Sequence, residues 1–191
     1  MMKLLRIGEG PSEDGPRLGG RPPRGVCSSN SRLKYFFTVP SDLEFEEVSV
    51  FLDPDFGLSN SGKIVQGDGV EVVGHARSQR ETEPGHADSA LTPHPLMIGA
   101  PGPDEQEEEG QVLPHSGSKL GGRAYLVRRG GRLEAQVAEL ERVGFQQIVQ
   151  LDFPGAEDAA VGGDWPVGGG LFHLMGRVGE RGWEWRCFFE A

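Results

Sequence analysis

Four carboxylates in the last third of the chain have the types and spacing that chemistry would need. Asp152 ends one apolar stretch, Glu157 and Asp158 follow in a glycine-rich segment, and Asp164 precedes the next apolar stretch. Paired carboxylates can act as general acid and base or bind a hard cation such as Ca²⁺. No nucleophile or metal-binding histidine or cysteine accompanies them, and aspartate also orders turns through its own backbone. We therefore expect turn formation or partner contact, with no catalytic residue, cofactor or metal.

Other motifs with a catalytic appearance lack the neighbours that their chemistry requires. Residues 55–57 (DFG) match the metal-binding triplet of kinases, without a phosphate loop or catalytic loop. Residues 117–122 (GSKLGG) place the lysine before the glycines, so they do not form a P-loop. Four histidines have spacings that fit no zinc pair: His75, His86, His94 and His115. The fifth, His173, lies in an apolar strand, where we expect a half-buried, hydrogen-bonded side chain.

Negative charge is concentrated in the middle of the chain. Residues 36–110 contain three Lys and Arg against sixteen Asp and Glu, and the whole chain has a net charge of −10. Such a surface attracts basic proteins and repels the phosphates of nucleic acid. The alternative is that the acidic surface only keeps the protein soluble. The densest acidic run comprises Asp104, Glu105, Glu107, Glu108 and Glu109. We predict that these five residues, with Asp158, Asp164 and Trp165, contact a partner.

Apolar periodicity predicts a sheet-dominated single domain of the α+β class. A repeated short sequence, described below, suggests that the domain consists of two pseudo-repeated halves. Residues 132–143 have the three- and four-residue apolar spacing of one clear helix, followed by Gly144 as at many helix ends. The predicted strands are 32–39, 47–53, 63–66, 70–74, 145–153, 171–178 and 183–189. Hairpins are expected between 63–66 and 70–74 and between the last two strands.

Composition divides the chain into an arm, a domain and a loop. Residues 1–31, rich in Gly, Pro, Ser and Arg, predict an irregular arm, and residues 32–191 a single domain. Residues 75–118, with many prolines and charges, predict a long acidic loop that is functional or partly disordered. Without an apolar run of membrane-spanning length or a secretory signal, we expect a cytoplasmic protein. Cys27 and Cys187 are then reduced thiols, although the sequence leaves a disulfide between them open.

One short sequence is repeated within the chain. Residues 15–25 (GPRLGGRPPRG) and 117–127 (GSKLGGRAYLV) share a Leu-Gly-Gly core. The match suggests a degenerate internal duplication, in which two equivalent halves pack together. Chance is the competing explanation in a chain with 30 glycines.

The order of segments over residues 117–189 resembles the C-terminal half of the YwqG-like family. The resemblance lies in the LGG segment, the helix, GFQQIVQLDF (144–153), an acidic glycine-rich loop and DWPVGGGLFHLM (164–175). Family members recur beside secreted bacterial toxins and look like immunity proteins. In the family the LGG segment continues into Pro and Gln, whereas this chain has Ala124–Tyr125 and Val127–Arg128 there, so any ligand contact of that Gln is not carried over.

The resemblance and the charge together predict an immunity protein rather than an enzyme. It would bind a basic antibacterial toxin, for which we expect a nuclease, and cover the toxin's active site. One alternative is a small-ligand or peptide-binding module with a groove near Gly121–Gly122 and Trp165. The other is a metal-assisted hydrolase that uses Asp152 and Asp164, for which thermal stabilisation by metal would be the test. The sequence does not determine the oligomeric state.

Overall fold

The computed structural model describes residues 1–8, 15–67, 69–77, 89, 91–108, 111–113, 116–127, 130–153 and 170–190. Twelve strands and two helices lie within these ranges. The strands are β1 (Met2–Ile7), β2 (Arg17–Leu18), β3 (Lys34–Pro40), β4 (Glu47–Leu52), β5 (Val70–His75), β6 (His94–Gly102), β7 (Gln106–Glu108), β8 (Gln111–Leu113), β9 (Lys119–Gly121), β10 (Gln146–Phe153), β11 (Gly170–Gly179) and β12 (Gly182–Glu190). The helices are α1 (Phe56–Asn60) and α2 (Arg132–Arg142).

Ten strands form one sheet, in the order β12-β11-β10-β9-β1-β6-β2-β3-β4-β5, and β7 and β8 pair separately. All pairings between these strands are antiparallel. The predicted α+β class is therefore wrong, because the fold is mostly β. The helix α2 covers the predicted span, but Val137 is its only buried residue. Its short apolar stripe covers one patch of the sheet and does not form a layer of its own.

The two ends of the long sheet are joined by the connection between α1 and β5. Ser61 forms a bridge with Phe189, and Val65 forms one with Cys187, both on β12. Antiparallel strands of alternating pattern bury one face in common, and that face here holds the main core. The largest apolar cluster draws on both halves of the chain: Phe36 and Phe172 meet edge to face at 5.5 Å between ring centroids.

The two Leu-Gly-Gly segments occupy equivalent places in this sheet. Arg17–Leu18 lead into Gly19 and Gly20, which have φ angles of 71° and 74°, and Lys119–Leu120 lead into Gly121 and Gly122, at 68° and 76°. Left-handed backbone of this kind favours glycine, which explains why the pair recurs. Both basic residues, Arg17 and Lys119, are fully buried.

The neighbours of the two segments also correspond. On one side Leu18 pairs with Phe37 of β3, and Leu120 pairs with Val149 of β10. On the other side β2 pairs with β6 and β9 pairs with β1, while β1 and β6 pair with each other. Outward from the β1–β6 pair, the strands β9, β10, β11 and β12 on one side correspond to β2, β3, β4 and β5 on the other. This correspondence is the one that a pseudo-two-fold axis between β1 and β6 requires. This relation gives each segment a counterpart against which it can be compared.

The N-terminal residues form more structure than an irregular arm. Met2–Ile7 is strand β1, in the middle of the sheet, and Arg17–Leu18 is β2. Residues 75–118 likewise contain β6, β7 and β8. Strand β1 escaped prediction because its pairing partners lie far away in the sequence, at 94–102 and 119–121. Glycine, proline and charge in the sequences of these strands masked the alternation that marks a strand.

One further local prediction differs from the structure. The expected hairpin of residues 63–66 with 70–74 is absent, because β5 pairs with β4 instead and Val65 bridges to Cys187. By contrast, the hairpin of β11 and β12 is confirmed, with Gly179 opposite Gly182.

Cys27 and Cys187 are free, the first exposed and the second buried. Neither helix in the described part of the chain has the length and apolar character needed to cross a bilayer.

Candidate functional site

An open cleft of about 930 Å³ lies where β1, β9, the start of β10 and the turn after β3 meet. Its floor is apolar and includes Met2, Leu120, Phe145 and Ile148. Concave sites with an apolar floor and a few polar groups are the usual form of binding sites in proteins. The cleft is therefore the candidate functional site.

The double glycine of β9 forms one wall of this cleft, with Asp104 against it. A Cβ atom on Gly122 would lie 2.3 Å from Oδ2 of Asp104, so only glycine leaves room for the carboxylate. Oδ1 of Asp104 accepts a hydrogen bond from Nζ of Lys119 at 2.6 Å, and Oδ2 accepts one from the backbone N–H of Arg123. Asp104 thus forms hydrogen bonds with the two residues that flank the Leu-Gly-Gly segment, Lys119 and Arg123.

Lys119 and Asp104 form an ion pair within the protein. The Lys119 side chain is fully buried and that of Asp104 is 11% exposed. Burial lowers the pKa of Lys119, and its hydrogen bond to Asp104 opposes that shift by favouring the charged form. The pair fixes the position of the chain immediately before strand β7, which carries the acidic run predicted to contact a partner.

Charged side chains surround the rim of the cleft. Lys3 pairs with Asp42 at 3.1 Å, and Asp42 is almost fully exposed. Glu105, Glu141 and Arg123 are exposed and form no ion pair with another described residue. Exposed pairs contribute little to stability, so these groups are available to a partner at small cost to the fold.

A buried amide also lines the cleft. Gln147 is 5% exposed, and its Nε2 donates to the backbone oxygen of Val149. Its Oε1 is buried without a hydrogen-bond partner among the residues that the structure describes. Buried acceptors are nearly always satisfied in folded proteins. Oε1 of Gln147 is thus one of the few exceptions in the part of the chain that the structure describes.

The predicted contact residues have different placements. Asp104 forms the ion pair with Lys119 inside the protein, and Glu105 lies on the rim of the cleft. Glu107 and Glu108 belong to β7, whose side chains the structure does not describe. The other four predicted residues lie outside the described residues: Glu109, Asp158, Asp164 and Trp165.

The carboxylates considered for acid–base or metal chemistry are not assembled in the described residues. Asp152 lies at the end of β10, and burial raises its pKa. The backbone N–H of Asp152 donates to Oγ of Ser118 at 2.8 Å. Glu157, Asp158 and Asp164 lie outside the described residues, and within them no group of three or more His, Cys, Asp or Glu is arranged to hold a metal ion.

Ser49, His75 and Glu47 have the order of a hydrolytic triad without its access to substrate. Oγ of Ser49 is 2.8 Å from Nε2 of His75, and Glu47 lies 4.0 Å from Nδ1. Ser49 is fully buried, and its hydroxyl is also hydrogen-bonded to Thr38 at 2.7 Å. A nucleophile must reach its substrate, so this chain of hydrogen bonds ties β3, β4 and β5 together and does not support catalysis.

His173 is more deeply buried than the sequence predicted. The side chain is fully buried, stacks on Phe188 at 4.3 Å between ring centroids, and has neither ring nitrogen bonded to a described residue. Burial, and secondarily the charge of Lys119, lowers the pKa of His173 to about 3. The expectation of a half-buried, hydrogen-bonded histidine is therefore wrong. At neutral pH His173 is neutral and does not titrate.

The two tryptophans of β12 pack against each other. Trp183 and Trp185 stack at 5.2 Å between ring centroids, and both are partly buried. Nε1 of Trp183 donates to Glu44 at 2.7 Å. Neither residue lines the cleft, so the two rings serve packing between the hairpin and the turn after β3.

Sequence analysis missed three features of the cleft: Met2 in its floor, Gln147, and the contact of Asp104 with Gly122. The repeated Leu-Gly-Gly sequence was the available signal, because it marks the wall. No family model, curated protein or solved structure matches the chain.

Proposed function

We propose that this protein is an immunity protein, which binds a basic, secreted antibacterial toxin and covers the toxin's active site without catalysing a reaction. The observation that carries the proposal is the junction of the acidic run with the cleft. The Asp104–Lys119 ion pair fastens the chain next to Gly122, and Glu105 follows on the rim. An anchored acidic segment beside an apolar depression suits an interface with a charged rim and a desolvated centre.

Charge supports a basic partner. Residues 36–110, which include the acidic run, hold sixteen of the 29 acidic residues and three of the 19 basic ones. A concentrated negative field accelerates encounter with a basic protein and disfavours wrong partners. Enzymes that act on nucleic acid present basic surfaces to phosphates, so a nuclease is the toxin class that this surface suits.

The resemblance to the YwqG-like family over residues 117–189 points to the same function. The segments that carry it include β9, which forms the wall of the cleft, and β10, which contributes Gln147. A bacterial cytoplasm is the compartment in which such a protein would protect its own cell.

The decisive experiment measures binding to the product of the neighbouring gene, in the wild type and in two matched variants. Glu105→Lys reverses a charge on the rim, and Glu180→Lys reverses an exposed charge at the turn of β11 and β12, which does not line the cleft. We expect Glu105→Lys to weaken binding by about tenfold or more, mainly through a slower association rate at low salt, and Glu180→Lys to have little effect. Equal affinities of the two variants would exclude the rim as the contact. Failure of the wild type to bind or neutralise the toxin would overturn the proposed function.

A further inference from the structure

A row of buried polar side chains crosses the outer face of the sheet in the second half of the chain, the face turned away from the main core. Lys119 of β9 lies opposite Gln150 of β10, and Gln150 lies opposite His173 of β11. Residues directly opposite each other on antiparallel strands point to the same face. All three are fully buried. The adjacent residues Leu120 and Val149 point the other way, into the main core.

The first half of the chain has an equivalent row, in which the hydroxyl groups are hydrogen-bonded. Arg17 lies opposite Thr38, and Thr38 lies opposite Ser49. The Thr38 hydroxyl is 2.7 Å from the hydroxyls of both Tyr35 and Ser49, and Oγ of Ser49 is 2.8 Å from Nε2 of His75. The pseudo-two-fold relation therefore gives the third position of each row a direct comparison.

His173 takes the position of Ser49 in the second row, but without hydrogen bonds. Neither imidazole nitrogen has a partner in the part of the chain that the structure describes, and the ring stacks on Phe188. Burial, and secondarily the charge of Lys119, lowers the pKa of His173. A proton on this ring would create a buried cation with two N–H donors and no acceptor for either, which is costly.

A small apolar cluster, separate from the main core, covers this part of the outer face. It attaches a flap, which comprises residues 123–127 and 130–145 and includes α2. The flap contributes Ala124, Leu126, Leu133, Val137, Leu140 and Phe145, which pack with Met175 and Phe188 of the sheet and with Ile64. Val137 is the only buried residue of α2. Elements held by few buried contacts open at low cost, so the flap can leave the sheet while the main core stays closed.

The charged groups on this face do not bond to His173. Those that share the face are Lys119 on β9, Asp152 on β10, and Arg186 and Glu190 on β12. None of them is hydrogen-bonded to the imidazole. The Glu190 carboxylate accepts the N–H of Val127 in the flap. Burial raises the pKa of Asp152, so its titration in acid has the opposite effect on stability to that of His173. The flap residues that pack on the sheet are apolar.

We propose that the flap opens in acid, because His173 can bind a proton only when the flap has left the sheet and the imidazole is in contact with water. Acid therefore shifts the population from the closed to the open form. Arg123, Glu141 and Phe145 belong to the flap and line the cleft, so the opening removes one wall of the cleft. The inference does not rest on the proposed function, because it concerns the protein without a partner.

The test compares two thiols on opposite faces of the hairpin of β11 and β12. Met175→Cys, made together with Cys27→Ser, places one thiol under the flap, whereas Cys187 lies in the main core. Both Met175 and Cys187 are fully buried in the wild type. Labelling with dithiodipyridine is followed at pH 7.5 and pH 5, and mass spectrometry of peptides assigns the label to each position. Each rate is divided by that of glutathione at the same pH, which removes the change in thiolate fraction.

We expect the relative rate at position 175 to rise by about thirtyfold from pH 7.5 to pH 5. This is the factor by which proton binding to an exposed imidazole, with its ordinary pKa of about 6.5, favours the open form over that interval. Cys187 should react at least about tenfold more slowly than position 175 at pH 5, because the main core stays closed. Addition of His173→Leu should leave the rate at position 175 within about twofold of the same value at both pH values.

The inference fails if both positions accelerate equally, since that result indicates unfolding of the whole protein. It also fails if position 175 is not labelled at pH 5 or reacts at a rate that does not depend on pH. A rise of the same size after His173→Leu would assign the opening to another group. The comparison of positions 175 and 187 is made with His173 present, so it decides the question even if the His173→Leu variant does not fold.

Discussion

Nζ of Lys119 and Oδ1 of Asp104 lie 2.6 Å apart, in a site where the lysine has no exposed surface. A buried charge without its partner costs several kcal/mol, more than the pair itself contributes. This contact is a second reason, besides the left-handed backbone, for glycine at position 122, because the carboxylate needs the space that a side chain on Gly122 would fill. It also holds Asp104, the first residue of the acidic run, against strand β9 of the sheet.

Removal of the carboxylate should destabilise the fold strongly. We expect Asp104→Asn to lower the free energy of unfolding by about 3 kcal/mol, because Lys119 then remains buried without a counter-ion. Denaturant unfolding at pH 7 measures the change. The control is Asp104→Asn with Lys119→Met, which removes both charges and should recover most of the lost stability. A double variant as unstable as the single one would show that packing, and not charge, dominates at this site.

A side chain at Gly122 should cost more than backbone strain alone. Gly122 and Gly67 both have a φ angle of 76°, but a Cβ on Gly67 would meet no atom of a described residue within 4 Å. We expect Gly67→Ala to lower the free energy of unfolding by about 1 kcal/mol, the usual cost of left-handed backbone. Gly122→Ala should cost about 2 kcal/mol more than that, since it displaces Asp104 from Lys119. Equal losses in thermal or denaturant unfolding would contradict the close approach.

Stability should decrease below neutral pH because of His173. Its pKa in the folded protein is lowered from 6.5 to about 3, so the unfolded chain binds a proton more readily between these values. The contribution of neutral His173 is therefore fully present above pH 6.5 and is lost as the pH falls toward 3. The free energy of unfolding should decrease by about 2 kcal/mol between pH 6.5 and pH 5, at about 1.4 kcal/mol per unit.

The variant His173→Leu tests whether this residue causes the dependence. Both ring nitrogens lack partners among the described residues, so an apolar replacement should change stability at pH 7 by less than about 1 kcal/mol. Between pH 7 and pH 5 the variant should lose less stability than the wild type. Parallel pH profiles for the two proteins would assign the dependence to other groups.

The two cysteines should differ sharply in reactivity. Cys27 is exposed, whereas Cys187 is fully buried and burial raises the pKa of its thiol. Because the thiolate is the reactive form, a thiol reagent should label one site in the native protein and two after denaturation. Mass spectrometry counts the labels, and Cys27→Ser should abolish native labelling. Rapid labelling of Cys187 in the native state would indicate that β12 separates from the segment that contains Val65.

Local pattern predicted the elements whose signal lies within their own sequence. The apolar spacing of residues 132–143 predicted α2, and alternation predicted β3, β4, β10 and the hairpin of β11 and β12. The α+β class was wrong because apolar periodicity indicates that a helix exists, but not how much of the core the helix covers. The fold class was decided by the number of strands, several of which had no readable pattern.

The candidate site was only partly within reach of sequence analysis. The Leu-Gly-Gly repeat and the acidic run were visible in the sequence, but the contact that joins them crosses fifteen residues, from Asp104 to Lys119. The cleft itself combines β1 with β9 and the start of β10, which come from both ends of the chain. No local rule places Met2 beside Gly121.

The amino-acid sequence alone determined the local conformations and the charge: where the chain turns through paired glycines, where it forms a helix, and that its middle region is acidic. Tertiary structure decided which strands became neighbours, that Asp104 pairs with Lys119, and that the second Leu-Gly-Gly segment borders an open cleft. Local conformation follows from the steric limits of each residue and its immediate neighbours. Neighbourhood in a sheet depends instead on which distant segments bury their apolar faces together, and that choice is made by the whole chain at once.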